Sequence, residues 1–302
     1  MKPHQDNACK RHLALASVVV FALIMQASVR ASPTITVTWD CAGEPVDPDH
    51  YHVDYTNPSY PDVELKSECL SWKIKSVDNG NPGDIGEIPA TDAYNYGLEI
   101  TDGSSGPGAR DVQKIDLNPS DAAKYSLING GQISGDLTGD LFVQESSDES
   151  GGSVSFTVDG NVEDDITAAT IASLSIGGNL SGNVSVDDVS GTMSVTGDFL
   201  TVSHGFTADD ISGSLSIGGN AYGVLDLAEF TGSLSVAGDV DFEWLIIGGS
   251  GSGDITGGAV SGSVTLAAGD GNAYSGTATF SSVASGAVVQ TWLASVSGTI
   301  HV

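Results

Sequence analysis

From Ser173 to Asp239 small polar and apolar residues alternate in a short phrase that appears four times. The copies are Ser173–Asn179 (SLSIGGN), Thr192–Asp198 (TMSVTGD), Ser214–Asn220 (SLSIGGN) and Ser233–Asp239 (SLSVAGD), starting 19, 22 and 19 residues apart. A period of two places Leu174/Ile176, Met193/Val195, Leu215/Ile217 and Leu234/Val236 on one face of a strand. Gly then Asn or Asp closes each phrase, as a tight turn with positive φ requires. A second apolar run follows, for example Val184–Val186 and Val224–Leu227. After it comes another turn phrase, Asp187–Gly191, which returns as Asp209–Gly213 and more loosely as Ala228–Gly232.

Each unit therefore holds at least two strands and two turns in about 20 residues, a period that marks solenoids, propellers or arrays. A propeller blade needs about 40 residues for its four strands, so the short period predicts a β-solenoid. Coils would stack about 4.8 Å apart with equivalent strands parallel, and Leu174, Met193, Leu215 and Leu234 would share one interior column. The expected fold is all-β: a single-stack parallel β-solenoid over 118–302. Residues 32–117, rich in Pro and Tyr, would form an irregular N-terminal cap, with coils starting as early as about residue 70. The chain ends on Ser297–Val302, a strand-like stretch whose edge is open to self-association.

Composition agrees with tight turns and small side chains: 39 of the 302 residues are Gly and only 7% are aromatic. Residues 1–31 read as a secretory signal, with Lys2, Lys10 and Arg11 before an apolar stretch from Leu13 to Met25 and small residues ahead of Ser32. That stretch is shorter than the roughly 20 residues a bilayer crossing needs, so the expected location is secreted or at the cell surface. Cys9 leaves with the signal, and Cys41 and Cys69 remain as an even pair that predicts a disulfide.

Charge narrows the partners. The chain carries 39 acidic and 10 basic residues, a net charge of −29, and no Lys or Arg follows Lys124. Nucleic acid and anionic membranes need cations the solenoid does not offer. Cations, neutral glycans or protein surfaces are the partners such a face admits. Paired acids Asp164-Asp165, Asp187-Asp188 and Asp209-Asp210 precede Ile166, Val189 and Ile211, 23 and 22 residues apart. Stacking would make them one ladder, and carboxylates about 5 Å apart repel unless solvated or bridged by a hard cation such as calcium. The Gly-Gly-x-Gly-x-Asp nonapeptide of calcium-binding β-rolls does not occur. His50 and His52, with Asp47, Asp49 and Asp54, are a second conceivable metal set, in a stretch that reads as an exposed loop.

The repeat phrase, the Asp-Asp-Ile-Ser-Gly turns and the signal resemble exported right-handed parallel β-helix proteins of bacterial envelopes, pectin-lyase-like and adhesin-like. The resemblance implies a fold and an extracellular address and carries over no catalytic or cofactor-binding residue. Pectin-cleaving hydrolases of this class combine paired Asp with Gly-His-Gly and Arg-x-Lys. Here Asp187-Asp188 precedes His204, but Ser203 replaces the first Gly and no basic residue follows. Ile133–Leu141 is similar in style to the cytoplasmic bactofilins, which the export signal argues against. The expected role is structural or adhesive at the cell surface or in a matrix; the alternative is a carbohydrate-active hydrolase or lyase using Asp or Glu along a groove.

Overall fold

The computed structural model describes residues 34–40, 51–65, 71–78, 81–82, 85–90, 98–102, 112–117, 127–143, 153–201, 205–268, 273–292 and 295–302. The signal segment, Cys41, Cys69 and His204 lie outside the described residues. Every described element is a β-strand, and all but a two-stranded pair join one 24-stranded sheet.

Leu174 pairs in parallel register with Met193, Met193 with Leu215, and Leu215 with Leu234. Their exposures are 1%, 0%, 1% and 3%, so the expected column exists and is sealed. It extends down to Phe156 and up through Ile255 and Ala278 to Ile300. The chain is a single-stack parallel β-solenoid, consistent with the pectin-lyase-like and adhesin-like β-helices that its repeat style resembles.

Each coil of the regular repeat buries two strands and two corners, one of the corners being the column Ile171, Val189, Ile211 and Phe230. Besides the phrase strand (Leu174, Ile176) there is a second strand (Val184, Val186), and between them a single inward residue makes the other corner. That corner column runs Val112, Leu137, Val162, Leu180, Phe199, joined by isolated parallel bridges, and continues through Ala221 and Val240 to Val260. Three of the interior aromatics face a glycine on a neighbouring coil: Phe156 faces Gly131, Tyr274 faces Gly251 and Phe280 faces Gly257. Such large-on-small pairing keeps the core at constant cross-section. Tyr274 is fully buried, and its hydroxyl donates to the Gly253 carbonyl at 3.0 Å. Burial, reinforced by the nearby Asp254 charge, pushes its phenol up to about 12.

Parallel coils are already running early in the chain. Strands β3 (Asp62–Leu65) and β4 (Ser71–Asp78) pair in parallel with Ile85–Ala90 and Leu98–Asp102. Strands β1 (Thr34–Asp40) and β2 (Tyr51–Asp54) lie antiparallel on β4 and β3, occupying the outer edges of that first coil.

The turns correct one expectation. The glycines of the Gly-Asn and Gly-Asp phrases do not take positive φ; among the described glycines only Gly130, Gly205, Gly223 and Gly286 do. Their requirement comes from the neighbouring coil. A Cβ on Gly178, Gly197, Gly219 or Gly238 would collide with the side-chain oxygen of Asn161, Asn179, Asp198 or Asn220 respectively. That same oxygen accepts a backbone N–H of the next coil: Asn179 N to Asn161 Oδ1 at 2.8 Å, Asp198 N to Asn179 at 2.8 Å, Asn220 N to Asp198 at 2.7 Å and Asp239 N to Asn220 at 2.9 Å. Asn and Asp serve this hydrogen bond equally well because only an acceptor oxygen is used. Gly-Asx is therefore a device that locks one coil onto the next.

Candidate functional site

The three acid pairs do not form one ladder. Ile166 pairs with Val184, not with Val189, so Asp164-Asp165 stands beside Gly182-Asn183 at the start of the second strand. Asp187-Asp188 and Asp209-Asp210 stand at that strand's far end, where Asp188 faces Asp210, and Asp210 faces Glu229. The physical reason is unequal coil length: Ile166 to Val184 spans 18 residues and Val184 to Phe206 spans 22, so a 23-residue rhyme in the sequence crosses between two different turns.

At the far end acids from three coils line an open groove of about 590 Å³ that spans four. Its walls include Asp187, Asp209, Asp226 and Glu229, with Ser185 and Thr207 between them. Asp226 comes from the row of Ser185 and Thr207, and Glu229 from the row of Asp188 and Asp210. Glu229 was available to a sequence reading, because the loose phrase Ala228–Gly232 aligns it with Asp210. Asp226 had no such signal, since the residues it stacks upon are hydroxyls.

Burial pushes the Asp187 carboxyl up, with the Asp209 and Asp188 charges adding to it. Burial likewise raises Asp210, with Asp188 and Glu229 adding. One Asp210 oxygen, Oδ1, is shielded from solvent and has no hydrogen-bond partner, which accounts for its desolvation. The folded chain holds these two protons more tightly than the unfolded chain, so folding takes up protons. Stability contributed by this pair therefore rises as pH falls from neutrality through the raised folded values towards 3.8. Both groups keep substantial solvent contact, so the gain is small. Thermal melts at constant ionic strength should show a higher midpoint near pH 5 than near pH 7.5. The double variant Asp187→Asn/Asp210→Asn should flatten that slope, and an unchanged slope would contradict the assignment. Asp54 works in the opposite direction: hydrogen bonds from Thr56 Oγ1 at 2.6 Å and Thr56 N at 2.8 Å hold its carboxyl below the ordinary value. Its share of stability is present above pH 3.8 and lost as pH falls through its lowered value.

At the near end, Asp164 and Asp165 meet a residue the repeat did not single out. Asp140, Asp164 and Asp165 bring one carboxylate oxygen each to within 4.8 Å of one another, a set that fits a hard cation. Their row belongs to a second Asx ladder: Asp165 Oδ1 accepts from Asn183 N at 2.8 Å and Nδ2 at 2.9 Å, and Asn183 Oδ1 accepts from Gly205 N at 3.1 Å. Asp165 thus carries a structural task beside any ligating one. The other conceivable metal set is only partly described: His52 and Asp54 are exposed along the same face of β2, and His50, Asp47 and Asp49 lie outside the described residues. No helix among the described residues is long and apolar enough to cross a membrane.

No family model matches the sequence. No curated protein matches it either. The reading of function therefore rests on the acids, their rows and the stack that carries them.

Proposed function

We propose that this protein is an exported structural or adhesive solenoid that presents a long acidic wall at the cell surface or in an extracellular matrix. The leader-like pattern of residues 1–31 supports the address. The observation that carries the role is the division of each coil. Apolar columns are sealed inside, while the acids of successive coils stack in rows outside, with no Lys or Arg after Lys124 to neutralise them. Such rows suit a multivalent contact with cations, neutral glycans or a protein surface better than a single small-molecule site.

The cation that fits best is calcium, held by Asp140, Asp164 and Asp165 with backbone carbonyls and water completing its usual six to eight oxygens. Extracellular calcium modules bind at about 10⁻⁴–10⁻³ M. At tenfold excess this would stabilise by about 1.4 kcal/mol, or about 2–4 °C for a chain of this size. The melting midpoint should rise on adding calcium at constant ionic strength, and Asp164→Asn should remove the rise. A midpoint indifferent to calcium would end the proposal.

A carbohydrate-active enzyme is the second reading, favoured by one observation: Asp187 in the groove wall, a carboxyl raised above its ordinary value by burial, with Asp209 and Glu229 as further groove carboxylates. The two readings separate on one screen. Protein dialysed free of salts and incubated with polyuronates and neutral glycans should cut neither. New reducing ends or unsaturated products, lost in Asp187→Asn, would replace the adhesive reading with the enzymatic one.

A further inference from the structure

We propose that the outer face of the phrase sheet adsorbs to ice, its serine and threonine hydroxyls taking places in the water lattice. Outward positions alternate with the buried column of Leu174, two per coil, and they stack as two rows. One row runs Ser155, Ser173, Thr192, Ser214 and Ser233; the other runs Thr157, Ser175, Ser194, Ser216 and Ser235. Every outward position in these rows is a hydroxyl, and none is buried. Thr256, Thr277 and Thr279 extend the rows past Asp254, whose carboxylate accepts from Thr277 N at 3.0 Å. The segments Ser155–Val158, Ser173–Ile176, Thr192–Val195, Ser214–Ile217 and Ser233–Val236 pair without a bulge. The Gly-Asx ladder fixes one end of each strand, and the corner glycines Gly191, Gly213 and Gly232, closed on the backbone of the coil before, fix the other. The hydroxyls therefore form a rigid grid, about 4.8 Å along the stack and about 6.6 Å along the strand. Both intervals are close to the oxygen repeats on a prism face of hexagonal ice.

Charge and side-chain type select the occupant. In a chain of net charge −29 the two rows carry no charge from Ser155 to Ser235, while acids crowd the far end of the second strand. A neutral face on a polyanion fits an uncharged partner. A second copy would set hydroxyls against hydroxyls with little apolar surface to bury. Crystalline glycans present C–H faces that aromatic side chains cover, and no aromatic stands in either row. Ice asks for donors and acceptors at fixed places, and a hydroxyl is both. One hydroxyl exchanging liquid water for lattice water gains almost nothing. Adsorption therefore depends on many engaging together from one rigid plane, with short side chains that lose little rotamer freedom. The proposal does not rest on the acidic rows, so a failure of calcium or glycan binding there leaves it standing.

Partition of the purified protein into slowly grown ice, with recrystallisation followed in frozen sucrose, tests it. The expected result is enrichment in the ice and arrest of crystal coarsening, where a globular control protein is rejected into the liquid. Ser194→Tyr and Ser216→Tyr each raise a ring above the middle of the grid. Each should cut the activity about tenfold or more, because a raised group keeps the other hydroxyls from engaging together. Tyr is a good strand former at outward positions, so both variants should keep the melting midpoint of the unaltered protein. Asp241→Tyr puts the same ring on another face, in the row of Tyr222, and should leave ice adsorption unchanged. Rejection of the unaltered protein from ice, full activity in either grid variant, or adsorption to crystalline cellulose or chitin without adsorption to ice would each overturn the proposal.

Discussion

Gly213→Ala is expected to lower the unfolding free energy by about 3 kcal/mol, the upper part of the range for overpacked sites. Gly213 belongs to a row of one glycine per coil, Gly191, Gly213, Gly232, Gly253, Gly276 and Gly298, at the corner before each phrase strand. In each, a Cβ would fall on the backbone carbonyl oxygen of the residue one coil earlier, Gly191 in the case of Gly213. The clash is with backbone, so no side-chain rotation relieves it. Gly213 is also held from both sides, its N–H donating to Val189 O at 2.9 Å and its carbonyl accepting from Ser233 N at 2.9 Å. The row tells where alanine is tolerated as well. Its first position is Ala172, where the register with the previous coil slips between Val154 and Ser155, so that Ala172 has no partner residue beneath it. Urea unfolding of Gly213→Ala, with an unchanged slope against denaturant, measures the cost; Ala172→Gly should cost less than about 1 kcal/mol. A loss below about 1 kcal/mol for Gly213→Ala would mean that the coils are not as closely stacked at this corner as the carbonyl contacts require.

The same close stacking explains which parts of the molecule could be read from the sequence. Leu174, Met193, Leu215 and Leu234 were legible because inward positions repeat in both identity and spacing, and a buried column tolerates little else. The acid pairs misled because outward residues are not constrained by a column. Asp164-Asp165 and Asp187-Asp188 share a dipeptide but occupy opposite ends of a strand, and only the register of Ile166 with Val184 separates them. The phrase glycines were recognised as obligatory but for the wrong cause. A single coil viewed alone suggests a turn with positive φ, whereas the requirement arises between coils, where Asn161 or Asp198 fills the space beside Gly178 or Gly219. Asp140 carried no signal at all, because its meeting with Asp164 and Asp165 depends on a 25-residue coil, Leu141 to Ile166, longer than those of the regular repeat.

Asn220→Asp should destabilise the protein by about 2 kcal/mol at low ionic strength although it preserves every hydrogen bond. Along the Asx row the order is Asp136, Asn161, Asn179, Asp198, Asn220, Asp239, and no two acids are adjacent. An acceptor oxygen is all that each position must supply, so six aspartates would satisfy the backbone equally well. They would also set carboxylates at the coil spacing of about 4.8 Å, where repulsion between unit charges costs about 1 kcal/mol even at the dielectric constant of water. Asn220 is the neutral spacer between Asp198 and Asp239, and its conversion creates two such contacts at once. Asn220→Ala isolates the other contribution: it removes the acceptor for Asp239 N and should cost about 1 kcal/mol. Salt distinguishes the two. Near 1 M NaCl, where the screening length falls to about 3 Å, most of the Asn220→Asp penalty should vanish while that of Asn220→Ala persists. If Asn220→Asp proves neutral at low salt, charge alternation along the row is incidental and the hydrogen bond alone sets the choice of residue.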